Sequence, residues 1–240
     1  MKTLEFFKKN ALSFSLMLIT ATLMTVAGII YKQNPLIILP LYVSLFVGIL
    51  QTKANRYSLL VGGLNSIIYT IVFIYLGVYA TAVSTFFFSC IVQLASFLMW
   101  NNRKYEHSTR FRKLSTKWRI ITVLVSLSAF LVICFALDKA GSVYQVIDSL
   151  SSVVGAIASI LTLFVFVEYA YLMLVSSVVA FLLYYSMMLN SPAEIVYVIF
   201  SVYSIICVTR GFFSARQIYK QQQNELNLEA NDEKSTADLS

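Results

Sequence analysis

The sequence predicts an all-α, polytopic membrane protein with eight transmembrane helices, and three observations carry that prediction. Eight apolar stretches occupy residues 11–31, 36–50, 57–76, 80–100, 119–137, 145–166, 170–189 and 194–213 of the 240. A spanning helix needs about 20 mostly apolar residues, so eight spans consume most of the chain. The composition agrees, with 59% hydrophobic and 12% charged residues and a mean hydropathy of +0.78. Third, the basic residues are sorted. If every stretch crosses, sixteen of the 18 Lys and Arg residues fall on one side and only Lys32 and Lys139 on the other. Basic loops resist translocation, which places that side, with both termini, in the cytoplasm. A soluble helix needs a polar face, and stretch 119–137 offers only Thr122, Ser126, Ser128 and Cys134.

The first stretch follows Lys2, Lys8 and Lys9, as a signal peptide would. Its length, and the lack of a small-residue cleavage site, predict a retained helix. Asn34-Pro35 separates it from a short second helix containing Pro40, which should kink that helix. The third and fourth helices follow at 57–76 and 80–100. The strongest basic run, Arg103 to Arg119, then forms a cytoplasmic loop before the fifth helix. Asp138 to Ser142 and Asn190-Ser191-Pro192 punctuate the remaining three helices. The polar tail from Gln221 cannot bury a core and is expected to be disordered.

A weak internal repeat organises these helices. Segments 57–100 and 169–212 superpose without gaps at an offset of 113 residues, setting Ala80 on Ala193. Two three-helix units joined by a single linker helix share one orientation, which makes a parallel repeat. Carriers commonly bind substrate at such an interface, near the membrane midplane. The expected divisions are an N-terminal tail and extra helix (1–34), a first three-helix bundle (35–100), a basic loop and linker helix (101–143), a second bundle (144–214) and a disordered tail (215–240).

The net charge of +7 does not imply nucleic acid, because the cations sit at membrane edges where they orient the chain and meet anionic headgroups. Cys90, Cys134 and Cys207 lie in apolar stretches without metal or redox spacing. The only histidine, His107, is in the basic loop. No nucleophile is set beside a base, and no acidic run crosses the bilayer as a proton relay would. A membrane enzyme is therefore poorly supported, and no cofactor or metal is called for.

Polar groups inside a bilayer cost free energy unless they are paired or line a cavity. Asn65 and Gln93 should lie near mid-depth, where they either contact a solute or bond neighbouring helices. Asp148, Ser151 and Ser152 share a helix face. Asp148 is either a solvated end carboxylate or a ligand for a cationic ring. Most of the serines serve as helix–helix contacts, while Ser177 and Thr85 are candidates for binding the solute. Tyr184 and Tyr185 could stack on a solute, and Arg210 is an orienting charge or a ligand.

Several of these residues occur in an order that resembles the PnuC family of bacterial vitamin transporters. Gly62, Asn65, Tyr79 and Ala80 reproduce its G-x-x-N and Tyr-Ala pattern, followed by Phe86-Phe87-Phe88 and Trp100. Asp148, Glu168 and Arg210 match its second half, and the similarity covers about residues 36–213. The resemblance implies a 3+1+3 helix arrangement like that of the SWEET sugar transporters. It also implies facilitated diffusion of nicotinamide riboside across a bacterial inner membrane, with a separate cytoplasmic kinase trapping the product. Two departures stand out. The family's Trp-x-x-Trp-x-x-x-Asn falls on Ala170, Met173 and Ser177, and its glutamine falls on Thr85, with Gln93 two helical turns away. They keep thiamine and deoxynucleosides open as alternative substrates. A non-transporting scaffold that recruits a partner through the basic loop is the reading from another class.

Overall fold

The computed structural model describes residues 2–101, 104–105 and 108–237. Seven of its helices are long and apolar enough to cross a membrane. The eighth pass, α2, has 17 residues, at the short end of the spanning range. The architecture is all-α apart from a two-residue hairpin pairing Lys104–Tyr105 with Ser108–Thr109. Arg103 and His107 lie outside the described residues.

Helix α1 spans Lys2–Ile30. Helix α2 (Pro35–Gln51) starts where Asn34 accepts a bond from the Leu36 amide at 3.0 Å and Pro35 fills the first turn, where its missing N–H costs nothing. The helix runs on through Pro40. Helix α3 (Tyr57–Tyr75) ends at Gly77, whose φ of +73° makes the tight turn back into the next pass. That pass consists of α4 (Tyr79–Ser84), a π-helical segment (Thr85–Val92) and α5 (Gln93–Asn101). The linker helix α6 (Thr116–Lys139), α7 (Gln145–Leu163), α8 (Tyr169–Asn190) and α9 (Ile195–Ala237) complete the chain.

Six passes close a ring. Helix α2 packs on α3, α3 on the α4–α5 pass, that pass on α7, α7 on α8, α8 on α9, and α9 back on α2. Helix α1 lies outside the α2–α9 seam, and α6 packs mainly on α7. Leu137 is the one buried residue of α6, whose Val132 and Phe135 are exposed as a lipid-facing surface requires. The two units therefore meet at two seams, α2 on α9 and the α4–α5 pass on α7.

Glycine makes the first seam possible. A Cβ at Gly211 of α9 would lie 2.5 Å from the Gln51 carbonyl oxygen, and one at Gly48 of α2 would lie 2.7 Å from the Tyr203 ring. Tyr197 and Tyr203 of α9 donate to the Ile37 and Leu45 carbonyls of α2 at 3.3 and 2.5 Å. These bonds tie both units to the helix that Pro40 weakens.

The expected disordered tail is corrected. Helix α9 has 43 residues and runs to Ala237, about 65 Å at 1.5 Å per residue and far more than a bilayer needs. A helix already formed in the membrane extends without a new nucleation cost, and the Gln, Glu and Leu residues of this segment are good helix formers. Part of it is also packed, since Ala215 and Gln222 are buried.

Candidate functional site

A cavity opens between the units toward the end of the ring that carries the basic loop. Its walls come from both units, with Gln93 and Trp100 on the first and Thr162, Tyr169, Met173 and Val208 on the second. It encloses about 620 Å³ of empty space, part of it open solvent, of which about 50 Å³ admits the centre of a water molecule. The cleft is therefore narrow. Met173 and Val208 also border a second cavity between α8 and α9, where about 160 Å³ admits a water centre. Four serines (Ser176, Ser177, Ser201 and Ser204) face this space together with Tyr184 and Phe200. Two helices supply that lining because Met173, Ser177, Ala180 and Tyr184 of α8, and Ser201, Ser204 and Val208 of α9, recur at three- and four-residue spacing.

Tyr184 leads from the second cavity to a buried polar cluster at mid-depth. Its ring lies 5.1 Å from that of Tyr197, and Tyr69 packs against the same buried core. The Tyr69 hydroxyl is buried without a hydrogen-bond partner of good geometry, although Ser44 lies beside it. Asn65, one turn before Tyr69 on α3, donates from Nδ2 to the Pro40 carbonyl at 2.8 Å and to Ser44 Oγ at 3.0 Å. Its Oδ1 is buried and unpaired. Two such atoms on residues one helical turn apart, one an acceptor and one a phenol able to donate or accept, suit a solute or water that bridges them.

The far end of the ring is closed by hydrogen bonds. Asp148 is fully buried, and its carboxylate accepts from the Ala80 amide at 3.1 Å, the Thr81 amide at 2.8 Å and the Thr81 hydroxyl at 2.5 Å. It caps α4 from the opposite unit, satisfying amides that a helix start leaves free. The second unit receives a related tie, because Gln33 Nε2 donates to the Ala193 carbonyl at 2.7 Å. Ala80 and Ala193, the two residues matched by the internal repeat, are thus both held by a distant side chain, Ala80 by Asp148 of the other unit and Ala193 by Gln33 of the turn between α1 and α2.

The structure separates the sequence-predicted residues into groups. Gln93, Ser177 and Tyr184 line the cavities. Asn65 belongs to the buried cluster but does not pair with Gln93, because its amide is taken by α2. Asp148 is neither solvated nor facing a cavity, since α4 occupies its carboxylate. Thr85 is buried at the start of the π segment and lines neither cavity. Arg210 points away from the ring and donates to Ser13 of α1 at 2.7 Å. Sequence reasoning missed Tyr69. Tyr69 carried a usable signal, lying four residues after Asn65 on the same helix face. Among the described residues no cluster of His, Cys, Asp or Glu could hold a metal.

The described residues thus form a ring of two three-helix units with polar groups and cavities buried among its helices. The family model described as "Nicotinamide mononucleotide transporter" matches residues 34–210, and the chain belongs to that family of transporters. It is a membrane transporter, not an enzyme, and the scaffold reading falls with that assignment. The crystal structure titled "Crystal structure of the Vitamin B3 transporter PnuC" shares the fold, with a TM-score of 0.73 and 15% identity over 88% of this chain and 93% of that one. No curated protein matches the sequence significantly.

Proposed function

We propose that this transporter carries a vitamin-like ribosylated small molecule, with nicotinamide riboside as the leading candidate. Movement is by facilitated diffusion across a bacterial inner membrane, and a separate cytoplasmic kinase phosphorylates the arriving solute and so traps it. Both termini and the basic loop face the cytoplasm. The observation that carries this reading is the series of polar groups inside the ring: Gln93 and Trp100 at the cavity between the units, the serine-lined cavity between α8 and α9, and then Tyr184, Tyr69 and the unpaired Asn65 oxygen. Gln93, Ser177 and Asn65 offer hydrogen bonds to a sugar or amide edge, and Tyr184 offers a ring face. Rocking of the two units about their seams alternates access.

One observation favours a different solute within the same class. Ala170, Met173 and Ser177, where the family resemblance expects two tryptophans and an asparagine, all border the two cavities. The departures therefore fall on the solute path itself, which supports thiamine or a deoxynucleoside as the alternative.

A thermal-shift and calorimetry panel on the purified protein tests both readings. At a ligand concentration of 100 Kd, binding adds about 2.7 kcal/mol to stability, so the true solute raises Tm by several degrees. If pyridine nucleosides, thiamine and deoxynucleosides all leave Tm unchanged and release no heat, the proposed substrate class is wrong.

A further inference from the structure

The basic loop has a part that the carrier reading does not use. Its last residues before α6 fold across the basic end of the cavity and bond to the second unit. The Arg112 amide donates to the Val165 carbonyl at 2.9 Å, and the Val167 amide donates to the Arg112 carbonyl at 2.8 Å. Gln222 of the extended α9 accepts from the Phe111 amide at 2.9 Å. Glu168 accepts from the Leu114 amide at 3.1 Å and pairs with Arg119 at 2.6 Å.

Held in this way, Phe111 and Leu114 are buried. The Phe111 ring meets Trp100 edge-on at 5.8 Å and stacks on Tyr169 at 5.9 Å. Those two rings are cavity walls, one from each unit. Trp100 also crosses between units by donating from Nε1 to the Thr162 carbonyl at 2.9 Å. Separating the units at this end would therefore pull Trp100 away from Thr162 and strip Phe111 from at least one ring.

The turn that receives the loop is strained. Val165, between α7 and α8, has a φ of +64° although it is β-branched and fully buried. Its carbonyl is the one that Arg112 holds. Strain of this kind persists only where surrounding bonds impose it, and it clusters at switch regions.

We propose that residues Arg110–Leu114 are a clasp that holds the transporter shut at its basic end, with Phe111 as the wedge and Glu168 and Gln222 as its anchors. Opening at this end requires the clasp to release, so its strength sets how often the cavity meets the cytoplasm. The inference rests on the carrier reading, but its test needs no transported solute, so the two fail separately.

The experiment uses the full chain with Cys90→Ala, Cys134→Ala and Cys207→Ala, plus Ser159→Cys as a reporter in the cavity wall. A membrane-impermeant maleimide is applied to vesicles with the basic end outward. Phe111→Ala removes two ring contacts and should speed labelling by at least about fivefold. Glu168→Ala, at a partly exposed anchor that folding can spare, should speed it by about threefold or more. A folded Phe111→Ala protein that labels at the parent rate overturns the proposal. Should that variant fail to fold, a parent-like labelling rate in Glu168→Ala overturns it instead.

Discussion

Replacing Asp148 by alanine should loosen the far end of the molecule, and the size of the effect follows from its bonds. The carboxylate is fully buried and serves the Ala80 and Thr81 amides and the Thr81 hydroxyl. The hydroxyl has a second option in Ser152 Oγ, 3.5 Å away. The two amides start a helix and have no other acceptor, and at no exposure water does not replace the lost oxygen. Each buried amide left unpaired costs about 1–3 kcal/mol, so Asp148→Ala should lose about 4 kcal/mol. For a chain of this size that lowers Tm by about 8–16 °C. Asp148→Asn keeps one oxygen for Thr81 but turns an amine toward Ala80, so it should lose about half as much. Thermal unfolding in detergent, followed by circular dichroism and tryptophan fluorescence, gives the ranking directly. An Asp148→Ala protein that melts within 2 °C of the parent would refute the capping argument and free this carboxylate for a solute.

Three further outcomes follow from the same geometry. Tyr69→Phe removes a hydroxyl that bonds nothing of good geometry, so Tm should hold or rise slightly while solute affinity falls by about tenfold. Calorimetry with the solute identified by the panel decides this, and an unchanged Kd would remove Tyr69 from the site. Gly211→Ala places a methyl 2.5 Å from the Gln51 carbonyl oxygen, which should cost about 1–3 kcal/mol of stability as α9 is pushed off α2. A parent-like Tm would mean that the seam is looser than its contacts imply. In a cysteine-free background, Val143→Cys should react with an impermeant maleimide on intact cells and Lys220→Cys only after permeabilisation. The reverse pattern would invert the topology.

What the sequence revealed depended on how far each signal reached along the chain. The passes were legible because apolar length is local, and the repeat was legible because Ala80 and Ala193 keep a constant offset. Partners across the ring were not legible. Asp148 reads as an end carboxylate or a solute ligand from its own helix, and only the fold shows that Ala80 at the start of α4, 68 residues away, lies against it. Asn65 reads equally as a solute contact or a bond to a neighbouring helix, because nothing nearby in sequence reveals that the carbonyl of Pro40 faces it. Arg210 follows the same rule, since its partner Ser13 is 197 residues distant. The tail misled for a different reason. Its polarity describes a segment that cannot fold alone, whereas this one extends a helix already held by the membrane.

The central claim is that two like-oriented units enclose a path that a small polar solute can cross without an energy source. Reconstitution into liposomes without kinase or nucleotide tests it most directly. Labelled nicotinamide riboside, thiamine or a deoxynucleoside should enter until inside and outside concentrations are equal, at a rate that saturates with concentration. Entry of none of them above protein-free liposomes would contradict the account.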